Sequence, residues 1–266
     1  MMDKLIFLKL GGSLITDKNR PHTARPEVIL RLAEEIAQAM LQSPGQRLLL
    51  GHGSGSFGHV PASKYGTRMG VRSPEDWRGF AEVREEAAAL NRLVMDALHC
   101  AGLAAIAISP SASLIAQDGK VVTWDTSPIN AALRSGLIPV VHGDAVFDAV
   151  RGGTILSTEE LFGYLARQLL PDRLLLAGLE PGVWEDFPSC TRIVPEITPA
   201  SLGEYSRGLG DSAFTDVTGG MGSKVRHILA LIEEIPGLEG MIFSAEEPGA
   251  LLTALCGERL GTLLRR

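Results

Sequence analysis

The fold of this chain follows from its opening segment Leu5-Ile6-Phe7-Leu8-Lys9-Leu10-Gly11-Gly12-Ser13, a short apolar run that ends in two glycines. A second apolar run, Leu48–Leu50, leads into Gly51-His52-Gly53-Ser54-Gly55-Ser56-Phe57-Gly58-His59. A helix-like pattern follows each segment, after a loop in the first case, so both predict a strand, a glycine-rich turn and a helix. Glycine lets backbone N–H groups approach an anion closely, and a helix N-terminus adds partial positive charge. The two turns therefore predict phosphate binding.

A third glycine-rich segment, Asp216-Val217-Thr218-Gly219-Gly220-Met221-Gly222-Ser223-Lys224, lies far downstream. It predicts a turn and then a helix over 220–235, with Lys224 close to the helix start. A lysine there opposes the helix dipole unless an anion binds beside it. A cap by Thr218 followed by a solvated lysine is the alternative interpretation.

Two more lysines fit a site for several phosphates. Lys9 stands inside an apolar strand, which is costly unless its ammonium emerges at the strand end to meet an anion or snorkels to solvent at an edge. Lys18 follows in the loop after the first glycine turn. With Lys224, these residues favour a phosphoryl-transfer enzyme.

Composition narrows the class of protein. The 266 residues are 45% hydrophobic and 21% charged, as in ordinary globular proteins, and the net charge of −6 implies no broad basic surface for nucleic acid. No apolar stretch reaches membrane-spanning length, so no membrane association is expected. Three widely spaced cysteines, Cys100, Cys190 and Cys256, fit neither a disulfide framework nor a metal site, which favours a reducing, cytoplasmic location.

Strands alternate with helices along the chain, which predicts an α/β fold with a mostly parallel sheet covered on both faces. We expect helices over 26–41, 73–99, 127–133, 158–170 and 220–235, and a hairpin over 145–155. We expect further strands over 103–108, 137–141, 173–176, 240–243 and 262–264. The segment 181–212 is poor in pattern and forms a lid, an approach to a nucleotide base or an irregular excursion. The two halves of the chain are expected to share one sheet.

Polar residues near the glycine turns leave alternatives open. Asp144, directly after a strand, orients Lys9 or Lys18, holds Mg²⁺ or is a turn aspartate. Open amides at Gly53, Ser54 and Gly55 are expected to form an anion nest. His59, at the expected helix start, binds a phosphate beside this nest or is hydrogen-bonded to a nearby carbonyl. A metal centre of His52, His142 and Asp144 fits no standard zinc spacing. The glycine runs also lack the spacing of a P-loop, a dinucleotide fingerprint or a hydrolase elbow.

Taken together, these segments resemble the amino acid kinase superfamily and, within it, the isopentenyl phosphate kinases and the related fosfomycin kinases. The resemblance covers nearly the whole chain and includes 9–18, 53–59, 143–148, 154–158 and 216–224. It implies a three-layer αβα sandwich, ATP-dependent phosphorylation of isopentenyl phosphate with Mg²⁺, and a homodimer. It also implies one domain over 1–266, whose part to about 170 binds the acceptor while the remainder mainly binds ATP.

The resemblance also assigns roles to residues. The catalytic group is Lys9, Lys18 and His59. ATP contacts fall to Lys9, Gly11, Gly12, Ser13, Gly55, Gly220 and Lys224, and acceptor contacts to Ser54, His59 and Gly143; no protein ligand to a metal is implied.

The sequence departs from the family pattern at two places, one in the glycine nest and one near the expected nucleotide contacts. Ser54 stands where the family often has glycine, and the segment 179–184 lacks an aspartate before Gly182.

For the prenyl tail we expect a pocket wall from the helix over 76–99, unless its apolar residues face the sheet. These residues are Phe80, Val83, Ala87, Leu90 and Val94. Alternative functions are a kinase for another small acid or phosphonate and a non-catalytic anion-binding protein.

Overall fold

The structure is a computed structural model that describes residues 4–205 and 220–266. Its strands are β1 (Leu5–Leu10), β2 (Arg47–His52), β3 (Ala105–Ala107), β4 (Leu114–Gln117), β5 (Lys120–Trp124), β6 (Ile138–His142), β7 (Asp144–Asp148), β8 (Gly152–Leu156), β9 (Arg173–Gly178), β10 (Val183–Trp184), β11 (Ile193–Val194), β12 (Glu196–Ile197), β13 (Glu239–Ser244) and β14 (Thr262–Leu264). Its α-helices are α1 (Gly12–Ile15), α2 (Pro26–Gln42), α3 (Gly55–Tyr65), α4 (Pro74–Cys100), α5 (Ser127–Arg134), α6 (Thr158–Leu169), α7 (Gly220–Glu234) and α8 (Ala250–Leu255).

The main sheet has eight strands in the order β12-β14-β13-β9-β1-β2-β6-β3, and every neighbouring pair is parallel except β13 with β14. All six residues of β1 are buried, because a parallel strand covered on both faces needs an apolar run rather than an alternating one. β1 lies between β2 from the first half of the chain and β9 from the second. The two halves therefore share one sheet, as predicted.

Helices cover both faces of this sheet. Ile6, Leu8 and Leu10 pack with α2, α4 and α8, whereas Leu5 and Phe7 pack with α5, α6 and α7. Successive side chains of a strand point to opposite faces, so β1 contributes to both cores. The three-layer αβα sandwich expected from the sequence is confirmed.

A second sheet, in the order β5-β4-β7-β8, extends the fold beside α4. Its β7–β8 hairpin matches the one predicted over 145–155. The β4–β5 hairpin was not predicted, although Asp118-Gly119, a strong hairpin signal, lies at its turn with φ values of 49° and 76°. The predicted strand over 103–108 is shorter than expected, and only Ala105–Ala107 pairs with β6.

The long helix α4 begins where the sequence indicates. Ser73 accepts a hydrogen bond from the Asp76 amide at 3.1 Å, and the Asp76 carboxylate accepts one from the Ser73 amide at 2.8 Å. This reciprocal capping box satisfies two amides that would otherwise lack partners, and Pro74 occupies the first turn, where its missing N–H costs nothing. In the described ranges 4–205 and 220–266, no helix combines the length and apolarity that a membrane crossing requires.

Candidate active site

A cavity of about 390 Å³ opens where β1, β2, β6 and β9 end. Residues just beyond the carboxyl ends of parallel strands converge at one edge of the sheet, which is where α/β proteins bind ligands. Every site residue named from the sequence lines this cavity: Lys9, Gly11, Gly12, Ser13, Lys18, Ser54, Gly55, His59, Gly143, Gly220 and Lys224. Residues as far apart in the chain as Lys9 and Lys224 thus form one site, whereas Asp216 to Gly219 lie outside the described residues.

The two glycine turns pack against each other. A Cβ atom on Gly12 would lie 2.6 Å from the amide nitrogen of Gly55, a distance that real side chains do not adopt. Gly55 itself has a φ of 50°, a left-handed conformation that glycine adopts without strain. Glycine is therefore needed at both positions to bring the backbones of the two turns together.

The turns leave backbone donors available to a ligand. Within the described chain, the amides of Gly12, Ser13, Ser54 and Gly55 make no backbone hydrogen bond. The amide of Gly53, which the sequence placed among the open donors, instead donates to Leu10 O at 3.1 Å because it continues the strand pairing. The nest is thus formed by the first turn together with the second, rather than by Gly53-Ser54-Gly55 alone.

Three helices of eight or more residues begin at the cavity wall. Gly55, Thr158 and Gly220 are the first residues of α3, α6 and α7, and all three line the cavity. Because each N-terminus carries partial positive charge and unpaired amides, their convergence favours a ligand with several negative charges.

Lys9 forms a buried ion pair at the floor of the site. Its ammonium donates to the carboxylate of Glu159, and each residue is only 9% exposed. Burial acts to raise the pKa of Glu159, but the charges of Lys9 and Lys224 and the Lys9 hydrogen bond outweigh it and hold that pKa below its usual range. Glu159 is thus an anion between two lysines.

Asp144 does not orient Lys9, contrary to one of the sequence hypotheses. Its carboxylate accepts hydrogen bonds from the amides of Ser111 at 3.0 Å and Ala145 at 2.9 Å. Lys9 pairs with Glu159 instead, because α6 begins beside the end of β1 and brings its first turn to the lysine. Asp144 still lines the cavity with a buried carboxylate.

His52 and His142 are buried side by side with ring centroids 5.5 Å apart. Burial, together with the neighbouring His142, lowers the pKa of His52 to about 4, so the ring is neutral near pH 7. The His52 Nδ1 lies 3.1 Å from Gly53 O, and its Nε2 lies 3.0 Å from Asn91 Oδ1. These hydrogen-bond contacts fix the rings at the end of β2. In the described part of the chain, no group of three or more His, Cys, Asp or Glu side chains is placed so that it could hold a metal ion.

His59 lies further into its helix than the sequence suggested. The helix α3 begins at Gly55, so His59 is its fifth residue and lines the cavity from the second turn. The glycine-rich run is not a turn throughout, because α3 begins at Gly55 and the Gly58 amide donates to Ser54 O at 3.4 Å. Helix geometry nevertheless places His59 on the cavity side.

One end of the cavity is apolar. Its wall combines Ala62 from α3, Val83 and Ala87 from α4, and Ile155 from β8. Phe80 does not line the cavity but packs behind Val83 in a small cluster. The expectation of an α4 wall is therefore met by two residues only, while Leu90 and Val94 belong to the core under the main sheet.

Several lining residues were not identified from the sequence: Arg68, Ser157, Thr158, Glu159, Trp184, Phe187 and Cys190. The Ser157-x-x-Glu160 spacing is a capping-box signal, and reading it would have placed Thr158 and Glu159 at a helix N-terminus. Arg68 is held by Glu160 at 2.9 Å on a short 3-10 helix that has no comparable signal.

The segment after β9 contributes to the opposite wall. It forms the β10–β11 hairpin, and Trp184 and Phe187 from this region line the cavity. The Trp184 indole donates to the Glu180 carboxylate at 2.7 Å. The described part of the segment 181–212 thus contributes Trp184, Phe187 and Cys190 to the cavity wall, and residues 206–212 lie outside the described chain.

A sheet of this topology with a nest of glycine amides and lysines at its carboxyl edge defines a phosphate-binding α/β protein. A family model described as the amino acid kinase family matches residues 4–244, and the chain belongs to this family.

Within this family, the chain is similar to isopentenyl phosphate kinases over nearly its full length. Isopentenyl phosphate kinase of Methanothermobacter thermautotrophicus is 36% identical over 266 aligned residues, which cover 96% of this chain and 97% of that protein. The isopentenyl phosphate kinase of Haloferax volcanii is also 36% identical, over 98% of both chains. A solved isopentenyl phosphate kinase structure superimposes with a TM-score of 0.82 at 33% identity, covering 98% of this chain and 99% of that one.

Proposed function

We propose that this protein is an ATP-dependent kinase that phosphorylates isopentenyl phosphate to isopentenyl diphosphate. The observation that supports this proposal is a single cavity with a cationic, amide-rich part beside a small apolar end. The first part suits two polyanions that must be brought together, and the second suits a short hydrocarbon tail. The names of the full-length relatives agree with this assignment.

The chemistry requires alignment and charge neutralisation more than proton transfer. An oxygen of the acceptor phosphate forms a bond to the γ-phosphorus of ATP while the bond from that phosphorus to the β,γ-bridging oxygen breaks, releasing ADP. The acceptor is already an anion, so no strong general base is needed. Lys9, Lys18 and Lys224 offset the repulsion between the two anions, and Lys18 stabilises charge on the moving phosphoryl group.

The acceptor contacts lie in the first part of the chain, whereas ATP contacts both parts. The acceptor phosphate contacts His59, Ser54 and the backbone at Gly143, with its tail toward Val83 and Ala87. The ATP phosphates contact the Lys9–Ser13 turn and Gly55, and the nucleotide extends toward Gly220 and Lys224. The part to about 170 therefore binds the acceptor and the ATP phosphates, and the remainder mainly binds ATP, within one domain over 1–266.

The residues of the cavity fit the phosphates of ATP directly, whereas they fit Mg²⁺ chiefly through ATP. The close backbone contact of Gly12 with Gly55 brings the open amides of the two turns together at the cavity, which fits the phosphates of ATP. The buried carboxylates in the wall, Asp144 and Glu159, are both engaged, so an ion carried chiefly by ATP oxygens fits better than one held by the protein. When bound, Mg²⁺ would supply positive charge that offsets the negative charge of the ATP phosphates.

An ADP-release assay tests the function. Purified protein is incubated with ATP and Mg²⁺ alone and then with isopentenyl phosphate, dimethylallyl phosphate, fosfomycin, acetylglutamate or UMP. We expect the highest kcat/KM with isopentenyl phosphate and almost no turnover without acceptor. Preference for fosfomycin or a carboxylate contradicts the assigned acceptor, and absence of turnover with every acceptor indicates a binding protein.

We further propose that the protein is a cytoplasmic homodimer. β3 is an edge strand of the main sheet, and its central residue Ile106 is 40% exposed. An exposed edge strand with an apolar side chain is a template for pairing with a second chain. The thiols of Cys100, Cys190 and Cys256 are all free, which supports a reducing compartment.

A further inference from the structure

The loop 17–25 that carries Lys18 has a closed base. Thr16 and Ala24 form an antiparallel bridge, and the Asp17 amide donates to Thr23 O at 2.9 Å. The Arg25 amide donates to Ile15 O at 2.9 Å. These contacts fix the two ends of the loop where it joins the fold. They do not determine how the middle of the loop, which carries Lys18, is oriented; other contacts must do so.

His22 supplies those interactions. Its ring packs on Phe57 with centroids 4.2 Å apart, and its Nδ1 lies 2.5 Å from the carboxylate of Glu86. Its amide donates to Ser56 O at 3.2 Å. The backbone of His22 has a φ of 51°, a conformation that costs energy for a residue with a side chain and persists where the surroundings fix it.

Both elements that hold His22 belong to the cavity wall. Phe57 lies in the first turn of α3, directly after the Ser54 and Gly55 amides. Glu86 lies on α4 beside Ala87, whose side chain lines the apolar end. The contact therefore connects the Lys18 loop to the parts of the site that face the acceptor.

We propose that His22 is a positioning residue for phosphoryl transfer, acting with Glu86 to direct the 17–25 loop so that Lys18 faces the moving phosphoryl group. This inference rests on the proposed function, in which Lys18 stabilises that group. A displacement of the lysine weakens an interaction made in the transition state, so the loss appears in kcat and not in the binding of ATP.

The first experiment compares His22→Ala and Glu86→Ala with the wild type in steady-state kinetics on isopentenyl phosphate and ATP. We expect each variant to lower kcat roughly 5-fold with an unchanged KM for ATP, and the double variant to lose no more than either one. Glu86→Gln, which keeps an acceptor for the ring, should recover part of the loss. The matched control is Glu85→Ala, since the neighbouring Glu85 pairs with Arg92 instead.

The second experiment asks whether His22 acts through Lys18. In the Lys18→Ala enzyme, adding His22→Ala should cause no further fall in kcat. An equal further fall, or wild-type kcat in both His22→Ala and Glu86→Ala, overturns the positioning role. A wild-type enzyme that does not turn over isopentenyl phosphate instead contradicts the proposed function, and a Lys18→Ala enzyme with wild-type kcat contradicts only the role given to Lys18, so these failures are distinguishable. Melting temperatures of all variants identify any that do not fold, and Glu86→Gln then carries the test.

Discussion

Lys18 and Lys9 carry the same charge in different surroundings. Lys18 is exposed on a loop, whereas Lys9 is buried against Glu159. Lys18 is therefore the lysine whose removal should disturb chemistry with the least effect on folding. We expect Lys18→Ala to lower kcat by about 10²–10³-fold, as for the loss of one charged transition-state contact. Steady-state kinetics measures this, and a rise in KM alone would make Lys18 a ground-state contact.

Glu159 gives a prediction for stability against pH. Its pKa is lowered in the folded protein, so the unfolded chain takes up a proton first as the pH falls. The stabilisation from ionised Glu159 is thus fully present above its usual pKa of 4.5 and is lost as the pH falls through the lower folded value. Glu159→Gln removes the carboxylate that accepts from the buried Lys9 ammonium, and we expect a loss of about 3 kcal/mol at pH 7.

Thermal unfolding of wild type and Glu159→Gln between pH 7 and pH 3 measures the effect. The difference in melting temperature should narrow below the usual pKa of the carboxyl group. Glu160→Gln, the neighbour that pairs with Arg68 at the surface, is the control and should change less. A constant difference at all pH values would show that the charge of Glu159 does not matter.

His59 should discriminate among acceptors. A histidine can donate to a phosphate and gain charge, whereas glutamine only donates. We expect moderate loss of kcat/KM on isopentenyl phosphate with His59→Gln and severe loss with His59→Ala. Wild-type activity in His59→Ala would remove this residue from the acceptor site.

At the scale of elements, the sequence predicts most of the central sheet because its signals are local. Buried strands such as β1 and β9 appear as apolar runs, and α4 has both a cap and a helical period. The glycines and lysines of the site were identifiable because their residue types are costly in those positions without a ligand. The β4–β5 hairpin was missed although its Asp118-Gly119 turn is a local signal.

Pairings between distant elements were not predictable in this way. Glu159 meets Lys9 only because α6 starts beside β1, and 150 residues separate them in the chain. Packing between distant elements also explains why only some of the α4 residues expected at the apolar end of the cavity lie there. Helical spacing places Phe80, Val83 and Leu90 near one face of α4, but only the packing of α3 and β8 decides that Val83 meets the cavity.

We therefore expect the helix α4 to limit the length of the acceptor tail through Val83 and Ala87, which line the apolar end of the cavity. Val83→Ala removes methyl groups from the cavity wall, and each methylene of tail accommodated adds roughly 0.8 kcal/mol of burial. We expect kcat/KM for geranyl phosphate relative to isopentenyl phosphate to rise by tens-fold or less, because size alone discriminates weakly. Leu90→Ala is the matched control, since Leu90 lies on the same helix but in the core.

Ala87→Leu should narrow the apolar end of the cavity, so we expect it to lower kcat/KM in part even for dimethylallyl phosphate. Melting temperatures must accompany both ratios, because a destabilised core also reduces activity. If stable Val83→Ala enzyme keeps the wild-type ratio of the two substrates, α4 does not limit the tail.

At the scale of the whole molecule, the main sheet ends differently at its two edges. One edge closes with the short strand β12, which pairs in parallel with β14, while the other ends with β3 and the exposed Ile106. At the β3 edge the Ala105 amide donates to Leu103 O at 3.0 Å and the Ala105 carbonyl lies 3.0 Å from His99 Nε2, so Ala107 carries the amide and carbonyl that a second chain would meet. Two copies related by a twofold axis can pair these groups and continue the sheet.

Ile106→Glu should dissociate such a dimer, because like charges facing each other across the paired edges are destabilising. β3 contributes nothing to the cavity lining, so the variant should keep its fold and its cavity. The matched control is Ile115→Glu, since Ile115 is also 40% exposed but lies on the smaller sheet. Light scattering after size-exclusion chromatography should give a dimer for the wild type and Ile115→Glu and a monomer for Ile106→Glu. A monomeric wild type, or a dimeric Ile106→Glu, places the interface elsewhere or removes it.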